Sequence, residues 1–279
     1  MTNIALTGVT GRVGGRVARQ LATGGEHNLH LIARDSRRMP GVPGAEVSLA
    51  SYADGQAVAK ALARADVVFM ISGRESADRL RDHFTFIEAA ARAGVAHIVY
   101  TSFVGAGESA RFTLARDHGA TEQAIRDTGL DYTFLRDNFY LDAFLEFADS
   151  NGVIRGPAGS GKAAAVARAD VADAATAVLR HPEDHQKTVY ELTGREALGF
   201  AEFAVRASAV AGRSFSYVEE TLEEAYASRA HYGAPDWQVD AWVSTYTAIA
   251  NGDLARVTDD VRKLTGHEAR MLEDVIAGR

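Results

Sequence analysis

The amino-acid sequence predicts an α/β protein, a doubly wound parallel sheet with helices on both faces and a smaller, mainly helical carboxyl-terminal lobe. Three observations predict this class. Short apolar runs alternate with amphipathic stretches through the first half of the chain. The runs lack strict polar and apolar alternation, which is typical of strands buried on both faces. After Arg136 the rhythm changes and helical patterns dominate.

The predicted elements follow in chain order. The strands are Asn3–Leu6, Leu29–Ala33, Glu46–Leu49, Val67–Ile71, His97–Thr101, Tyr132–Leu135 and Thr188–Leu192. The helices are Val13–Thr23, Gln56–Arg64, Arg79–Ala93, Ala115–Thr128, Phe139–Phe147 and Asp170–Leu179. We expect Asp170 to cap the last of these, Gly156–Gly161 to be loop, and residues 200–279 to be mainly helical around an apolar stretch at Phe215–Val218. The sheet domain is placed at 1–136, completed by 165–195, and the lobe at 137–164 and 196–279.

Composition narrows the classes of function. The chain has 279 residues and no cysteine, which excludes disulfides, thiolate nucleophiles and cysteine-ligated metals. Its net charge of −7 disfavours binding to a phosphate backbone, so no nucleic-acid partner is expected. The start of the chain lacks the features of a signal peptide, and no run is long and apolar enough for a membrane span. These features predict a cytoplasmic protein.

A glycine-rich turn after the first predicted strand is the strongest motif. It reads Thr7-Gly8-Val9-Thr10-Gly11-Arg12-Val13-Gly14 and opens the first helix, and this context turns a weak motif into a useful one. Missing side chains let backbone N–H groups approach a diphosphate, and the helix N-terminus adds unpaired donors. The turn therefore predicts a Rossmann-type dinucleotide site formed by Thr7, Gly8, Thr10, Gly11, Arg12, Val13 and Gly14.

The end of the second predicted strand bears on the choice between NADP(H) and NAD(H). NAD sites usually place an acidic residue there for the ribose 2′-OH, whereas NADP sites use arginine. The sequence places Arg34 at this point and Arg38 close behind, and a guanidinium pairs well with a 2′-phosphate. NADP(H) is thus preferred, although Asp35 follows directly and leaves NAD(H) open.

Two other segments resemble functional motifs without meeting their requirements. Gly156–Ala163 nearly matches a P-loop, but Ala163 lacks the hydroxyl that would bind Mg²⁺. His181–His185 contains imidazoles and carboxylates, but in a polar stretch that favours a solvated loop. We therefore predict neither a kinase nor a metal site.

Several motifs together resemble the NmrA-like family of atypical short-chain dehydrogenase/reductases. They are Thr7-Gly8-x-Thr10-Gly11-x-x-Gly14, Tyr100-Thr101-Ser102, Leu135-Arg136 before an aromatic pair, Gly159–Lys162, Arg168–Ala172, Tyr190–Gly194 and Thr258–Val261. The resemblance covers nearly the whole chain, and its nearest functional type reduces quinones with NADPH. It implies cofactor contacts at three strand ends: Ile71, Ser72 and Gly73; Thr101, Ser102 and Phe103; and Asn138 and Phe139. One departure is Ser51 before Tyr52, where relatives tend to carry Asp.

The usual acid of short-chain dehydrogenases, a Tyr-x-x-x-Lys pair, is absent from the sequence. The four lysines are preceded at that spacing by Gln56, Ala158, Glu183 and Asp259. His118, on the helix that carries the pair in ordinary relatives, is our candidate acid because imidazole titrates near neutrality, although an ordinary helix histidine fits as well. Tyr140 is the second candidate catalytic residue.

The resulting hypothesis is an NADPH-dependent oxidoreductase that passes hydride directly to a quinone-like acceptor. Such an acceptor needs proximity more than a strong acid. A non-enzymatic NADP(H) sensor is the alternative, and reduction or epimerisation of another planar substrate is a weaker third. Aromatic residues of the lobe could stack on a quinone or simply form its core: Tyr226, Tyr232, Trp237 and Trp242. A homodimer is left open.

Overall fold

The protein is described by a computed structural model covering residues 1–278. Its main sheet has seven strands: β1 (Thr2–Leu6), β2 (His27–Ala33), β3 (Glu46–Leu49), β4 (Val67–Met70), β5 (His97–Phe103), β6 (Asp131–Asp137) and β8 (Thr188–Leu192). They are ordered β3-β2-β1-β4-β5-β6-β8, and the pairings from β3 to β5 are parallel. The order runs outward from β1 in both directions, which confirms the doubly wound Rossmann-type fold.

Helices and a small second sheet complete the chain. The helices are α1 (Arg12–Gly24), α2 (Gly55–Leu62), α3 (Arg79–Ala93), α4 (Thr113–Asp127), α5 (Leu141–Phe144), α6 (Arg168–Arg180), α7 (Phe200–Ala211), α8 (Leu222–Arg229), α9 (Asp236–Ala250), α10 (Asp260–Thr265) and α11 (Leu272–Ile276). The second sheet pairs β7 (Val153–Gly156) with β9 (Ser216–Glu219) in parallel. Within residues 1–278, no helix combines the length and apolarity that crossing a bilayer requires.

Internal contacts divide the chain into two compact units of comparable length. The first comprises Met1–Ser102, Asp117–Arg136 and Val171–Tyr190, and the second comprises Phe103–Arg116, Asp137–Asp170 and the residues from Glu191 onward. The predicted boundaries differ from this division in three stretches, 103–116, 165–170 and 191–195, which the contacts assign to the second unit.

The core of the first unit is built on both faces of the sheet. The successive residues Ile4, Ala5 and Leu6 of β1 are fully buried, and Ala5 lies in one cluster with Phe86 and Ile87 of α3. Helices cover both faces, so each strand can carry apolar residues at successive positions.

The core of the second unit is rich in aromatic rings. Phe103, Phe112 and Phe139 lie with their ring centres 4.9–5.0 Å apart in edge or tilted contacts. Phe200 packs against Phe144 at 4.9 Å. Aromatic pairs in these geometries add to the stabilisation that burial gives.

Three local predictions were wrong. The expected helix Phe139–Phe147 is reduced to α5 and a 3-10 turn at Leu145–Phe147, and part of the expected loop Gly156–Gly161 belongs to β7. Asp170 does not cap its helix, because α6 begins at Arg168. The Asp170 carboxylate instead accepts a hydrogen bond from the Arg270 amide at 2.7 Å, and Asp142 binds the Arg168 amide at 2.9 Å.

Candidate cofactor site

The turn between β1 and α1 has a backbone that only glycine fits at its first position. Gly8 has a φ of +62°, and a Cβ there would lie 2.9 Å from the Cβ of Ile71. Both facts exclude a larger residue. L-amino acids other than glycine rarely adopt a positive φ, and a contact as short as 2.9 Å would force Ile71 or the turn to move. The first glycine of the motif therefore sets the direction of the chain into α1.

Gly14 allows the start of α1 to pack directly on the turn. A Cβ at Gly14 would lie 2.5 Å from the carbonyl oxygen of Gly8 and 2.9 Å from Cδ1 of Ile71. Gly11 donates its amide to the same Gly8 oxygen at 2.9 Å. The three glycines thus form a tight turn around the Gly8 carbonyl group, and a Cβ on Gly8 or Gly14 would prevent the turn from closing.

The N-terminus of α1 is suited to an anion. Gly11 is its N-cap residue, no side chain caps it, and the first turn holds no acidic residue. Gly8, Gly11 and Arg12 are exposed, whereas Val13 is buried and Thr10 is half-buried. The amides of the first turn have no acceptor within the helix itself, and together with the helix dipole they favour a phosphate at such a position. The turn fits the diphosphate of a dinucleotide.

Two arginines and one ion-paired carboxylate follow the end of β2. Arg34 and Arg38 are exposed and form no hydrogen bond or salt bridge with other residues of the 1–278 range. The Asp35 carboxylate accepts from the Arg37 amide at 2.9 Å and from its guanidinium at 2.6 Å and 2.9 Å. These bonds lower the pKa of Asp35 and occupy its oxygens. The arrangement leaves Arg34 and Arg38 available to a 2′-phosphate.

The predicted contact segment Ile71-Ser72-Gly73 lies beyond the end of β4 and is held by side chains. The three successive amides donate to Thr7 Oγ1 at 2.9 Å, Thr101 Oγ1 at 2.9 Å and His83 Nε2 at 2.8 Å. The segment is not part of a strand, so these side chains supply the hydrogen-bond acceptors that a neighbouring strand would otherwise supply.

Two further side chains bind the carbonyl groups of the segment. Tyr52 donates to the Ile71 carbonyl at 2.7 Å, and its hydroxyl lies 2.5 Å from Thr7 Oγ1. Arg79 donates through Nε to the Gly73 carbonyl at 2.9 Å. Burial raises the pKa of Tyr52, and the nearby charge of Arg34 opposes that rise. Tyr52 therefore remains a neutral donor.

Arg79 and His83 were not predicted, although both are central to this part of the unit. They are spaced four residues apart on α3, so they share one helix face. Arg79 is 5% exposed and His83 is fully buried. Arg79 also donates to the Asp117 carboxylate at 3.1 Å and to His118 Nε2 at 2.9 Å. The spacing of the two residues was the available signal, but polar residues of an amphipathic helix are normally assigned to its exposed face.

The two histidines have defined tautomers. An amide or guanidinium N–H can only donate, so Nε2 of His83 and Nε2 of His118 must each be unprotonated. His83 Nδ1 then donates to Thr121 Oγ1 at 2.9 Å, and His118 Nδ1 donates to the Tyr100 hydroxyl at 2.9 Å. Burial, and then the charge of Arg79, lower the pKa of His83 to about 3 and that of His118 well below its ordinary value.

His118, our candidate acid, is 6% exposed and has hydrogen bonds at both ring nitrogens. A neutral imidazole with its single proton already donated to Tyr100 is a poor proton source at neutral pH. Its catalytic role stays a prediction, and the geometry favours a structural one.

At the end of β5, the two hydroxyl groups differ in their surroundings. The Thr101 hydroxyl accepts the Ser72 amide, as described above. Ser102 is fully buried and donates to Glu122 Oε1 at 2.6 Å. Glu122 is in turn paired with Arg136 through bonds of 2.8 Å and 2.7 Å. The Ser102 side chain is thus committed to this buried ion pair, so any contact of Ser102 with a cofactor would use its backbone.

The predicted site residues of the second unit have partners within that unit. Asn138 is 1% exposed, donates to the Leu254 carbonyl at 3.0 Å and accepts from the Phe139 amide at 2.8 Å. Phe103 and Phe139 belong to the aromatic core. The Tyr140 hydroxyl donates to Asp137, and burial and the adjacent carboxylate raise the pKa of Tyr140 well above its ordinary value. The predicted roles of these residues stay predictions.

The aromatic residues singled out in the lobe do not form one group. Tyr226 and Tyr232 are 41% and 64% exposed. Trp242 is half-buried and contacts Tyr232 edge-on at 5.6 Å. Tyr246, a further aromatic residue of the lobe that was not singled out, belongs to the core and packs on Phe200 at 5.4 Å. Neither stacking on a quinone nor packing in the core of the lobe accounts for all of these residues.

The segment that resembles a P-loop is a packed turn of the second unit. A Cβ at Gly161 would lie 2.2 Å from the Ile249 carbonyl oxygen, and Lys162 forms a salt bridge with Glu202 at 3.5 Å. Close packing against α9 explains these glycines without a nucleotide.

The fold and the glycine turn define a Rossmann-type NAD(P)-binding protein. Residues 8–182 match the NAD(P)H-binding family, to which the chain belongs. It is 31% identical to quinone oxidoreductase 2 of Escherichia coli, over 98% of this chain and 97% of that protein. It is 30% identical to the NAD(P)H azoreductase of Xenophilus azovorans, over 96% and 94%.

The solved structures agree with the sequence relatives. A crystal structure of an NADPH-dependent quinone oxidoreductase from Escherichia coli, complexed with NADPH, has a TM-score of 0.89 and 30% identity, with 99% of each chain covered. These similarities confirm the predicted NmrA-like fold and the predicted class, an NAD(P)H oxidoreductase.

Proposed function

We propose that the protein is an NADPH-dependent oxidoreductase that reduces a quinone-like acceptor by direct hydride transfer. The observation that carries the proposal is the tight turn of Gly8, Gly11 and Gly14 at the start of α1, where a Cβ on Gly8 or Gly14 would clash with Ile71 or with the Gly8 carbonyl group. The relatives that are named for quinone and azo reduction support the choice of acceptor.

The residues that would hold the cofactor come from three parts of the first unit. Amides at the start of α1 would bind the diphosphate, and Arg34 with Arg38 would bind the 2′-phosphate. The Ile71–Gly73 segment would pass along the nucleotide. The Asp35 carboxylate could select NAD(H), but it forms an ion pair with Arg37 that balances its charge. This arrangement favours NADPH over NADH.

The reaction balances without an acidic side chain. When bound, NADPH would supply a hydride to the quinone, and one proton taken up from the solvent would complete the hydroquinone and leave NADP⁺. A hydroquinone anion is delocalised, so it needs no acid at the moment of transfer, whereas a simple alkoxide does. His118 donates its proton to Tyr100, and Tyr140 donates to Asp137. Neither residue needs to act as the acid.

The test is anaerobic mixing of the protein with NADPH and one of three acceptors. We expect absorbance at 340 nm to fall with a benzoquinone, with one hydroquinone formed per NADPH, and more slowly with an azo dye. We expect no reaction with an aliphatic ketone, because its alkoxide product needs an acid. Unchanged absorbance with every quinone, or a ketone reduced as fast as a quinone, contradicts the proposal.

The hydrogen bonds of His118 also favour a second candidate, an NADP(H) sensor without turnover. A binding protein needs no proton donor, and an imidazole committed to Arg79 and Tyr100 serves such a protein equally well. The same samples separate the two candidates. The sensor predicts tight NADPH binding by calorimetry and no oxidation of NADPH by any acceptor.

A further inference from the structure

The Ile71–Gly73 segment touches the glycine turn directly. Cβ and Cδ1 of Ile71 lie 2.9 Å and 3.0 Å from the position of a Cβ on Gly8, and Cδ1 lies 2.9 Å from that of Gly14. The position of Ile71 therefore decides how closely the turn can close. The segment itself has no regular secondary structure, so its side-chain partners determine its conformation.

Two partners of the segment come from one helix and bind the same residue, Gly73. His83 accepts the Gly73 amide at 2.8 Å, and Arg79 donates to the Gly73 carbonyl at 2.9 Å. A Cβ at Gly73 would lie 3.1 Å from His83 Nε2, so the contact is close on this side as well. Both hydrogen-bonding groups of one residue are thus fixed by side chains one helical turn apart.

Arg79 is itself held by the following helix of the unit. Its Nη1 binds Asp117 at 3.1 Å and its Nη2 binds His118 at 2.9 Å, both on α4. A buried guanidinium is stable only when its charge and its N–H groups are matched, and these partners match them. The position of Arg79 therefore links α4 to the end of β4.

We propose that Arg79 and His83 are positioning residues that hold the Ile71-Ser72-Gly73 segment, and through Ile71 the glycine turn, in the binding conformation before the nucleotide arrives. The proposal rests on the cofactor site proposed above. A segment that is already ordered does not lose backbone entropy on binding, so its partners increase affinity without touching the ligand.

The decisive comparison is between two substitutions of His83. His83→Leu keeps a similar volume but removes the acceptor for the Gly73 amide, whereas His83→Gln offers a side-chain oxygen in its place. His97 is the matched control, because it is also buried in the first unit, at 3% exposure, and binds Thr133 Oγ1 at 2.9 Å. His97→Leu removes a buried histidine at the start of β5, away from the segment.

Two measurements are made on the full chain, NADPH binding by calorimetry and amide hydrogen exchange of the peptide containing residues 71–73 without nucleotide. We expect His83→Leu to raise the Kd for NADPH about tenfold, which corresponds to ~1.4 kcal/mol, and to accelerate exchange in this peptide. We expect His83→Gln to recover most of the affinity, and His97→Leu to change neither readout.

A second pair tests Arg79 and covers the case in which His83→Leu does not fold. Arg79→Lys keeps the charge but cannot reach Gly73, Asp117 and His118 at once, because an ammonium lacks the planar fork. We expect it to weaken NADPH binding and to accelerate exchange at residues 71–73. Arg126→Lys is its control, since Arg126 lies on α4 and pairs with Glu122 at 3.3 Å.

The outcomes separate this proposal from the proposed function. If the wild-type protein binds no NADPH, the proposed function fails, while the exchange data still test the positioning role. If the wild type binds but His83→Leu or Arg79→Lys binds equally well, the positioning role is overturned. Equal losses of affinity in His97→Leu and His83→Leu also overturn it, because the effect is then one of general stability.

Discussion

Nη2 of Arg79 lies 2.9 Å from Nε2 of His118, and this contact determines the protonation of the imidazole. A guanidinium cannot accept, so His118 must keep Nε2 free of a proton. The remaining proton, on Nδ1, is donated to Tyr100, whose own pKa is raised by burial. His118 is thus part of a buried hydrogen-bonded network with Arg79 and Tyr100.

The first prediction follows from this network. His118→Phe removes an acceptor from Arg79 and leaves a similar ring volume, so we expect a higher KM for NADPH with kcat nearly unchanged at saturation. Loss of a general acid would instead lower kcat by about a hundredfold or more. Steady-state kinetics with a benzoquinone distinguish the two results. His97→Phe serves as the control for replacing a buried histidine elsewhere in the unit.

The second prediction concerns Arg34 and the cofactor phosphate. Arg34→Ala should raise the Kd for NADPH about tenfold or more, because a charge-assisted pair is lost, and should leave the Kd for NADH nearly unchanged. Calorimetry with both nucleotides measures this directly. Arg64→Ala is the control, because the Arg64 side chain is 80% exposed and pairs with Glu46. Equal losses for both nucleotides would refute the 2′-phosphate role.

The third prediction concerns the ion pair between Asp35 and Arg37, which follows Arg34 in the sequence. Arg37→Ala frees the Asp35 carboxylate, which then repels a 2′-phosphate and can accept from a ribose hydroxyl, so the preference for NADPH over NADH should fall. The pair is exposed, so the change is modest, about two- to fivefold, and smaller at high salt. The double variant Asp35→Asn with Arg37→Ala should restore the preference. A double variant as impaired as Arg37→Ala would exclude Asp35 as the cause.

The parts of the site that sequence could predict are local ones. The glycine turn lies within one loop, where spacing and position after a strand are sufficient. The bounds predicted for the third helix, Arg79–Ala93, coincide with those of α3, because its apolar residues recur at helical spacing.

The parts that sequence missed depend on contacts between distant residues. Arg79 meets its partners on α4 at a separation of 38 residues for Asp117, and Asp170 meets Arg270 at a separation of 100. In both cases a polar side chain that would normally face solvent or cap a helix is drawn into the interior by a partner of opposite charge. No local pattern marks such a pair, because each half is ordinary by itself.

The fourth prediction tests the glycine turn. Gly14→Ala places a Cβ 2.5 Å from the Gly8 carbonyl oxygen, so the turn must open and NADPH binding should fall below detection. Calorimetry gives the affinity, and thermal unfolding shows that the variant still folds. Gly41→Ala is the matched control, because nothing lies within 4 Å of its added Cβ. NADPH binding by Gly14→Ala at wild-type strength would remove the main support for the cofactor site.

The fifth prediction concerns stability against acid. The pKa of His83 falls from 6.5 in the unfolded chain to about 3 in the folded protein. Between these values the unfolded chain binds a proton that the folded His83 does not, so the free energy of unfolding decreases as the pH falls below 6.5. A fully neutral buried histidine contributes a slope of ~1.4 kcal/mol per pH unit well below that value, and His118 acts in the same direction.

Denaturant unfolding between pH 7 and pH 5 measures this slope. His83→Gln removes one of these titrating groups while keeping an acceptor for Gly73, so its stability should fall less steeply with acid than that of the wild type. His231→Gln is the control, because His231 is exposed. An unchanged slope in His83→Gln would mean that the folded protein admits a proton at His83, which its bonds to Gly73 and Thr121 forbid while they are intact.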